Sequence, residues 1–386
     1  MRIAQFAESY RPVINGAAVA VDLLSRELVA RSHAVEVFAP RFRGHEDDFP
    51  VHRFPSYTWP HHPDYPLAIP IAPELRRRFH GQGYEVVHTH SPFVLGQTGM
   101  RWARRHGIPL VTTYHTLYVE YSHYAVGVPR RLARSYLRRL SRRYCDRCDA
   151  VAVPTEPIRE VLLEYGVRRP ICVIPTGLRL RPPVPRDPEF PRGRLGIPEA
   201  AQVVLFAGRL AREKNLELLF TGFERAAAEA SDVYLLIAGE GPESAAARTR
   251  AAAGPAAGRI RFAGAVAPEQ MGTMYAGADL FAFASLHDTQ GLVLTEAKAA
   301  GLPAVAVASY GPATVVTDGV DGLLTDPDPV SFGNALLRLL RSPELCASMS
   351  RAALTEVRRF SIAATAAAYE ELYGQARDEA NARRRR

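Results

Sequence analysis

Lysine is almost missing from this sequence. The 48 basic residues comprise 46 arginines and only two lysines, Lys214 and Lys298. Because arginine serves at nearly every other basic position, a position that keeps lysine is a candidate for a role that needs a compact ammonium group. We expect such a role for Lys214, whereas chance explains Lys298 equally well.

Cysteines and long apolar runs are also scarce. Four cysteines in 386 residues exclude a disulfide framework. Cys145 and Cys148 have the spacing of half a zinc site, but no second Cys/His pair follows, so we expect no structural metal. No run of about 18 apolar residues exists, which predicts no membrane-spanning helix. The opening MRIAQFAESY predicts a strand rather than a signal peptide, and therefore a cytoplasmic protein.

The net charge of +8 is unevenly distributed. Residues 1–178 contain 24 basic and 16 acidic residues, whereas residues 179–386 contain 24 of each. A basic half can meet nucleic acid, anionic lipid or an anionic small molecule. No recognised nucleic-acid motif accompanies the charge, so we expect no nucleic-acid partner.

Strand and helix patterns alternate twice along the chain. RIAQFA, AVEVFAP, YEVVHTH, PLVTTYHT, DAVAVPT and ICVIPTG predict strands in the first half, and QVVLFAGRL, VYLLIAGEG, IRFAG, LFAFAS and PAVAVAS do so in the second. Alternation with helices predicts a doubly wound parallel sheet in each half. Six prolines in residues 179–198 predict an irregular linker between them. Two such domains leave a cleft, which is a natural ligand site.

The segment AGRLAREKN predicts an anion site. Its strand ends before Gly208, so Arg209 and Lys214 lie in the following loop and at the start of the next helix. Two cations beside a helix N-terminus suit a diphosphate. The alternative is an ordinary solvated basic loop.

The segment SLHDTQGLVLTEAKAAGLP places seven residues between Asp288 and Glu296. The backbone N–H groups of Gln290, Gly291 and Leu292 open a helix and can donate to a sugar hydroxyl or a phosphate, while the Asp288 carboxylate can accept from sugar hydroxyls. Glu296 follows about 7.5 Å along the helix, where it can bind a ribose diol. An extended ligand with these parts is a nucleotide sugar. The alternative is a helix whose acids only complement its dipole.

These two segments, with DGVDGLL, resemble the retaining family-four GT-B glycosyltransferases over nearly the whole chain. The resemblance implies an α/β fold with two Rossmann-like doubly wound parallel-sheet domains facing an interdomain cleft. Arg209 and Lys214 match the family's diphosphate-binding pair, and Glu296 matches the second acid of its signature. Asp288 stands where glutamate is usual, so the same carboxylate has a shorter reach toward the sugar.

The first half agrees with the resemblance. In YRPVINGAAVAV, Gly16 matches the residue that lets the backbone approach the donor diphosphate, and Asn15 replaces a usual second glycine. In TTYHT, His115 matches a near-invariant active-site histidine; the alternative is a packed histidine at a strand end. His88 and His90 of HTHSP are expected to shape the acceptor pocket.

The resemblance divides the chain and assigns its residues. It implies an acceptor domain over 1–178, a linker over 179–198, a donor domain over 199–358, and a helix over 359–386 that returns to the first domain with a frayed arginine tail. Catalysis is assigned to His115, Arg209, Lys214 and Asp288. The expected donor-binding residues are Gly16, Arg209, Lys214, Gly264, Val266, Asp288, Thr289, Gln290, Gly291, Leu292 and Glu296, with the backbone of FAGAV (262–266) reading the base.

Several further segments, among them HTHSPFVLGQTG and TYHTLYVEYSHY, look most like the diacylglycerol α-glucosyltransferase branch. Residues 129–144 predict a basic amphipathic helix that can lie on an anionic membrane, with an apolar stripe of Leu132, Ala133, Tyr136, Leu137, Leu140 and Tyr144. The alternative is a core-facing helix with a solvated arginine face. Residues 55–71 are predicted to be neither strand nor helix and to insert at the interface, line the acceptor site or pack as a loop. The expected acceptor or membrane residues are Trp59, His88, His90, Tyr118, Arg131, Arg134 and Arg138.

The resulting prediction is a retaining hexosyltransferase. It moves glucose from UDP-glucose to a hydroxyl acceptor, with diacylglycerol or a related lipid on the inner face of the membrane as the expected acceptor. We expect no cofactor and no metal, and the only D-x-D, Asp326-Pro327-Asp328, is expected to belong to a loop. The alternatives are a soluble sugar, polyol or natural-product acceptor, a GDP-mannose donor, or a nucleotide-sugar epimerase or hydrolase on the same fold.

Overall fold

The chain forms two compact units. The computed structural model describes residues 1–42, 44–59, 62–71, 73–124, 127–187 and 189–385. Unit 1 comprises Met1–Arg179 and Phe360–Arg386, and unit 2 comprises Leu180–Arg359. The chain therefore leaves unit 1 once and returns to it with its last helix. Within the described ranges, no helix is both long enough and apolar enough to cross a membrane.

Unit 1 is built on a seven-stranded sheet with the strand order β3-β2-β1-β6-β7-β8-β9, in which all neighbours are parallel. Its central strands are rich in apolar residues and buried on both faces, as parallel sheets covered by helices require. The strands are β1 (Arg2–Phe6), β2 (Ala34–Pro40), β3 (Val51–Phe54), β4 (Ser56–Trp59), β5 (His62–Ala68), β6 (Val86–Thr89), β7 (Leu110–Thr113), β8 (Ala150–Val153) and β9 (Ile171–Val173), and the helices of this part are α1 (Gly16–Ala30), α2 (Pro73–Gly81), α3 (Val94–His106), α4 (Arg130–Cys145) and α5 (Glu156–Glu164).

Strands β4 and β5 form a separate antiparallel pair. Ser56 lies opposite Ala68, and Tyr57 lies opposite Leu67. The prediction that residues 55–71 form neither strand nor helix is therefore wrong. Prolines are tolerated here because both strands of a two-stranded sheet are edge strands, where a missing N–H costs little. Pro60 and His61 lie outside the described residues.

Unit 2 is built on a six-stranded parallel sheet with the strand order β12-β11-β10-β13-β14-β15. Its core consists of the buried faces of these strands and of the helices packed on them. The strands are β10 (Gln202–Ala207), β11 (Val233–Ala238), β12 (Ile260–Gly264), β13 (Leu280–Phe283), β14 (Ala304–Val307) and β15 (Gly322–Thr325), and the helices are α6 (Leu216–Glu229), α7 (Ser244–Ala253), α8 (Met271–Ala276), α9 (Leu292–Ala299), α10 (Pro312–Val315), α11 (Pro329–Leu340) and α12 (Pro343–Glu356).

The second half of the predicted linker is packed rather than irregular. Gly193–Leu195 form a turn of 3-10 helix. Arg192 is only 3% exposed and donates to the Asp279 carboxylate at 2.8 Å and to the Ala201 carbonyl at 2.6 Å. The buried guanidinium fixes this segment to unit 2, which corrects the prediction of a linker over all of 179–198. Pro188 lies outside the described residues.

The last helix, α13 (Ile362–Arg385), belongs to unit 1. Its Tyr369 hydroxyl lies 2.7 Å from Thr113 Oγ1, and its Tyr373 hydroxyl lies 2.8 Å from His88 Nδ1. Arg31 of α1 donates two hydrogen bonds to Glu370. The buried face of α13 repeats at helical spacing and joins the core around β1 through Ala366, Tyr369, Leu372, Tyr373 and Ala376.

Each sheet has one point where the order of strand addition reverses. In unit 1 this point lies between β1 and β6, and in unit 2 it lies between β10 and β13. Ligands of doubly wound sheets bind beyond the carboxyl ends of the strands at such a reversal. The loops that follow β1, β6, β10 and β13 are therefore the places to examine for chemistry.

Candidate active site

In unit 2, two predicted residues meet at the reversal point. Lys214 follows β10, and Asp288 follows the neighbouring β13. The Lys214 Nζ atom donates to both carboxylate oxygens of Asp288, at 2.7 and 2.8 Å. It also lies 5.6 Å from the centre of the Phe283 ring, on the apolar side of the pair. The side chains are 14% and 18% exposed, so the pair can be reached from solvent.

The loop that carries Asp288 is held in place by the segment that follows β14, the next strand of the sheet. The backbone N–H of Gly311 donates to the Asp288 carbonyl at 3.0 Å. A Cβ atom on Gly311 would lie 2.4 Å from the backbone nitrogen of Gln290, so only glycine permits this approach. Gly291 has a φ of 82°, a left-handed conformation that glycine adopts without strain, and α9 begins immediately after it. These glycines hold the loop against the segment that follows β14.

Glu296, the second acid, lies on α9 and is paired with a tyrosine. The Tyr275 hydroxyl of α8 donates to Glu296 Oε2 at 2.7 Å. Desolvation raises the pKa of Glu296 above its ordinary value, and the bond from Tyr275 opposes that rise. One oxygen of the carboxylate is thus fixed by Tyr275, a residue that no motif in the sequence singled out.

The other predicted donor residues of unit 2 differ in exposure. Arg209 and Thr289 are half-buried in the loops after β10 and β13. Gln290 is almost fully buried, so its side chain faces the protein interior and the predicted role falls to its backbone N–H. Gly264 and Val266 are half-buried at the end of β12. The Gly264 carbonyl accepts from the Gly239 N–H at 2.7 Å, which ties the ends of β11 and β12 together.

In unit 1, His115 is the last of three side chains that are joined by hydrogen bonds. His115 Nε2 lies 3.0 Å from His90 Nδ1, and His90 Nε2 lies 3.1 Å from Gln5 Oε1. Burial lowers the pKa of His115 to about 4. It also lowers the pKa of His90 well below the ordinary value, with the charges of His88 and His115 adding to the effect. Both rings are therefore neutral at neutral pH and act through hydrogen bonds.

His88 does not shape an acceptor pocket. Its side chain has no exposed surface, and its ring nitrogens contact Thr113 Oγ1 at 2.7 Å and the Tyr373 hydroxyl at 2.8 Å. Burial lowers the pKa of His88 to about 3. The expected acceptor role of His88 is wrong, because the ring attaches α13 to the sheet. His90 is also buried, and its contact is with His115 rather than with solvent.

The loop after β1 leads into α1 through a capped N-terminus. Gly16 is the exposed first residue of α1. Asn15 caps the helix, because its side-chain oxygen accepts from the Ala18 N–H at 2.9 Å. In the same loop Glu8 accepts from the Leu95 N–H at 2.5 Å, at the start of α3, and burial raises its pKa. No motif in the sequence points to Glu8, which fixes the β1 loop to the loop after β6.

The helix predicted for membrane contact exists as α4, but its faces differ from the prediction. Ala133, Ser141, Tyr144 and Cys145 are buried, whereas Leu132 and Tyr136 are 63% and 65% exposed. The predicted apolar stripe therefore divides between the core and the surface.

Two of the three predicted membrane arginines are held by their own unit. Arg134 forms two hydrogen bonds with the Glu120 carboxylate, and Arg138 donates to the Glu164 carbonyl and lies over the Tyr165 ring. The ion pair with Glu120 corrects the expected membrane role of Arg134, whereas Arg131 and Arg138 are exposed and their membrane role stays a prediction. Tyr118 packs edge-on against Phe93 and Tyr114. The side chain of Trp59 lies outside the described residues.

A surface cavity of about 490 Å³ lies along α4 in unit 1. It combines the exposed apolar residues of α4 with three arginines, and none of the residues predicted to bind the donor contributes to it. Its lining comprises Gln97, Leu132, Ser135, Tyr136, Arg139, Leu140, Arg143, Tyr144 and Arg147. The cavity is therefore lined by both apolar and basic side chains.

The residues considered as metal ligands have other surroundings. Asp328 caps α11 by accepting from the N–H groups of Val330 and Ser331, which lowers its pKa. Cys145 and Cys148 are buried free thiols. Across the described part of the chain, no three His, Cys, Asp or Glu side chains lie together so that they could hold a metal ion.

Comparisons with known proteins agree with this arrangement. Residues 14–181 match Glycosyltransferase Family 4, and residues 187–355 match Glycosyl transferases group 1. An alpha-monoglucosyldiacylglycerol synthase from Streptococcus pneumoniae is 29% identical over 364 residues, covering 89% of this chain and 80% of the relative. A GDP-mannose-dependent alpha-mannosyltransferase from Mycobacterium tuberculosis is 32% identical over 332 residues, covering 84% and 83%.

A solved structure supports the same fold. The sucrose-phosphate synthase from Thermosynechococcus elongatus superposes with a TM-score of 0.80 at 23% identity, covering 97% of this chain and 98% of that chain. Two parallel-sheet Rossmann-like units with these relatives define a glycosyltransferase of the GT-B fold, which confirms the expected fold class. The chain belongs to glycosyltransferase family 4.

Proposed function

We propose that the chain transfers glucose from UDP-glucose to the hydroxyl group of a lipid acceptor of the diacylglycerol class, with retention of the anomeric configuration. The observation that carries the proposal is the pair of Lys214 and Asp288 at the reversal point of the donor-side sheet. An ammonium group for the diphosphate and a carboxylate for sugar hydroxyls stand there side by side, as a sugar diphosphate requires.

Donor binding would change the partners of this pair. In the structure, the Lys214 ammonium group binds the Asp288 carboxylate. In the donor complex, phosphate oxygens would replace that carboxylate as the partner of Lys214, and Arg209 from the same loop would add a second cation. Release from Lys214 frees the Asp288 oxygens for sugar hydroxyls. Negative charge grows on the diphosphate as the glycosidic bond breaks, so cations placed there stabilise the transition state more than the bound substrate.

Retention and independence from metal are parts of the proposal that follow from the family. In a retaining transfer of this type, a departing phosphate oxygen accepts the proton of the incoming hydroxyl on the same face of the sugar. No carboxylate nucleophile is then required, and neutral His115 contributes a hydrogen bond to the sugar rather than a charge. Protein cations take the place of a metal at the diphosphate. Turnover that survives a chelator would support this, and turnover lost to a chelator and restored by a divalent cation would contradict it.

The choice of glucose as the transferred sugar is supported by the name of the relative from Streptococcus pneumoniae, and UDP as its carrier is part of the proposal. We expect UDP-glucose to raise the melting temperature of the protein, and UDP with the glucosylated lipid to be the products when acceptor is present. The same assay with donor alone tests the rival epimerase or hydrolase, because rapid consumption of UDP-glucose without acceptor would favour those activities. Anomeric configuration of the product is read by proton NMR.

GDP-mannose is the second candidate donor. The relative from Mycobacterium tuberculosis is named for it and is slightly more similar in sequence over its aligned length. The two candidates are separated by direct competition, in which both nucleotide sugars are offered together and the sugar on the product is identified. Transfer of mannose in preference to glucose would overturn the donor assignment and leave the transferase assignment intact.

The lipid acceptor is supported by the surface along α4. Leu132 and Tyr136 are exposed apolar side chains, and Arg139, Arg143 and Arg147 line the same cavity. Apolar groups beside a row of arginines suit an anionic membrane surface, where each cation near the lipid headgroups contributes about 1 kcal/mol. The protein would then act as a peripheral enzyme on the membrane that contains its acceptor.

Vesicle sedimentation tests the membrane contact. We expect binding to vesicles that contain phosphatidylglycerol and weak binding to pure phosphatidylcholine. Paired Leu132→Asp and Tyr136→Asp substitutions should release the protein, whereas Arg134→Gln, on the side of α4 that contacts Glu120, should leave binding within about twofold. Failure of the wild type to bind vesicles that contain phosphatidylglycerol, or transfer to a soluble sugar, polyol or natural product in preference to diacylglycerol, would favour a soluble acceptor.

A further inference from the structure

A buried polar side chain in the first strand connects to the active-site histidine. Gln5 lies in β1, where its neighbours on the strand are apolar and buried. His90 lies between Gln5 and His115, with contacts of 3.1 and 3.0 Å on its two ring nitrogens. The rings of His90 and His115 are nearly parallel, 24° apart. A buried amide is costly unless it is hydrogen-bonded, so Gln5 is an unusual choice for a core strand.

The contacts fix protons in order along this series. A neutral imidazole has one N–H and one lone pair, so the partner of one nitrogen decides what the other can do. With the Gln5 oxygen facing it, His90 Nε2 carries the proton and Nδ1 accepts. His115 Nε2 must then carry a proton and donate to His90. The low pKa values of both rings keep this order at neutral pH, because neither ring is protonated twice.

Rotation of the Gln5 carboxamide by a half-turn reverses this order. In the orientation described, Gln5 Nε2 is buried without a hydrogen-bond partner in the described part of the chain, while Ser25 Oγ lies 3.2 Å from Oε1. After the half-turn, Nε2 would donate to His90 and to Ser25, whose own proton goes to the Val21 carbonyl at 2.7 Å. His90 Nδ1 would then donate to His115. The two orientations of one amide thus correspond to two tautomers of His115.

We propose that Gln5, acting through His90, is a positioning residue that selects the tautomer and orients the ring of His115. The inference rests on the proposed function, in which the His115 ring hydrogen-bonds the transferred sugar. In the other tautomer, the His115 nitrogen that faces the sugar would carry a lone pair where a hydrogen-bond donor is needed, or an N–H where an acceptor is needed. The sequence feature behind this device is the glutamine of RIAQF.

Nitrogen-15 NMR of histidine-labelled protein tests the series without substrate. Wild-type His115, assigned by loss of its signals in His115→Asn, should show a single tautomer. Gln5→Met removes both hydrogen-bonding groups at nearly constant volume and should give a mixture of tautomers. Thr113→Val is the matched control, because Thr113 is equally buried on a nearby strand but contacts His88 rather than His90. An unchanged His115 tautomer in Gln5→Met would overturn the proposal.

Kinetics supply the second readout. Loss of one hydrogen bond made in the transition state predicts a kcat about tenfold lower in Gln5→Met with an unchanged KM for the donor, and both constants within about twofold in Thr113→Val. Equal losses of kcat in the two variants would indicate general loosening of the core and contradict a positioning role. If wild-type protein transfers no sugar, the proposed function fails, yet the NMR measurement still decides the role of Gln5.

Gln5→Glu covers the case in which Gln5→Met does not fold. A carboxylate can only accept hydrogen bonds, so Glu at this position would hold the proton on His90 Nε2 and raise the pKa of His90. The other titratable groups that face the His90 ring are His88 and His115. The acid limb of kcat should then move to higher pH, because a doubly protonated His90 cannot accept from His115. An acid limb that coincides with that of the wild type would contradict the proposal.

Discussion

The two lysines of the chain each bind an aspartate, in different surroundings. Lys214 and Asp288 are 14% and 18% exposed, at the reversal point of the unit 2 sheet. Lys298 and Asp321 are 4% and 0% exposed, with the Lys298 Nζ atom 2.6 Å from Asp321 Oδ2 and 2.8 Å from the Val315 carbonyl. The same two residue types thus form one pair that a ligand can reach and one that it cannot.

The difference separates a pair that can exchange partners from a pair that holds the fold. Asp321 also accepts from the Thr317 N–H at 2.9 Å, so the buried pair ties α9 to the turn before β15. Burial lowers the pKa of Lys298, and the hydrogen bond from Lys298 to Asp321 opposes that shift. A buried pair resists separation because either ion alone would remain in a medium of low polarity. The partly exposed pair meets no such barrier when a diphosphate arrives.

Removal of the buried cation should have the largest effect. Lys298→Met leaves the Asp321 carboxylate buried without its counter-ion, which costs about 3–5 kcal/mol in the free energy of unfolding. Urea denaturation followed by circular dichroism measures this change. Adding Asp321→Asn to Lys298→Met should restore part of the loss, because the amide keeps the bond from Thr317 and carries no charge. A stability change below about 1 kcal/mol in Lys298→Met would show that this pair is no stronger than an exposed one.

Removal of the exposed cation should act on turnover instead. Lys214→Met takes away a charge that faces the departing diphosphate, so we expect kcat/KM to fall about 10²–10³-fold, or about 2.7–4 kcal/mol of transition-state stabilisation. The free energy of unfolding should change by less than about 1 kcal/mol. Lys214→Arg is the matched control, because it keeps the charge and should restore part of the activity. A large loss of stability in Lys214→Met would break the distinction between the two pairs.

The lysines also mark how far the sequence could be interpreted. Scarcity of lysine, together with AGRLAREKN, correctly placed Lys214 after a strand, and the family signature correctly placed Asp288 near it in the same unit. For Lys298 the sequence left chance open, because its partner Asp321 belongs to DGVDG, which was predicted only as a turn. A contact made by two distant segments leaves no local periodicity, so burial decides the role and only the fold supplies it.

Unit 1 gives the same lesson with histidines. The motif TTYHT singles out His115, whose catalytic role stays a prediction, whereas His88, in the same kind of segment, binds Tyr373 of the last helix instead of shaping an acceptor pocket. Gln5 and Glu8 were not noticed, since an isolated polar residue in or just after an apolar strand has no pattern of its own. The hairpin of β4 and β5 was missed because its prolines outweighed its alternation. Strand and helix order, in contrast, follows from local periodicity and was predicted.

Replacement of Asp288 tests its share in the exposed pair. Asp288→Asn keeps the shape of the side chain but weakens its bond to Lys214 and to sugar hydroxyls, so we expect kcat/KM about tenfold lower. Asp288→Glu restores the acid that the family resemblance leads one to expect and should keep kcat/KM within about threefold. Any effect of this variant should appear in the preference for glucose over mannose. The measurement is initial rate with each nucleotide sugar. A larger loss in Asp288→Glu than in Asp288→Asn would mean that reach, rather than charge, is what matters at this position.

Tyr275→Phe should have the smallest effect and sharpens the comparison within one helix. Glu296 and Lys298 are two residues apart on α9, yet Glu296 contacts Tyr275 whereas Lys298 contacts Asp321. Loss of one hydrogen bond to Glu296 predicts a donor KM about three- to tenfold higher, which corresponds to about 0.5–1.5 kcal/mol, with kcat unchanged. Glu296→Ala should raise the same KM further, whereas His115→Ala should mainly lower kcat. If Tyr275→Phe lowered kcat and left KM unchanged, Glu296 would act on the reacting sugar rather than on the nucleoside, and the division of roles along α9 would have to be reversed.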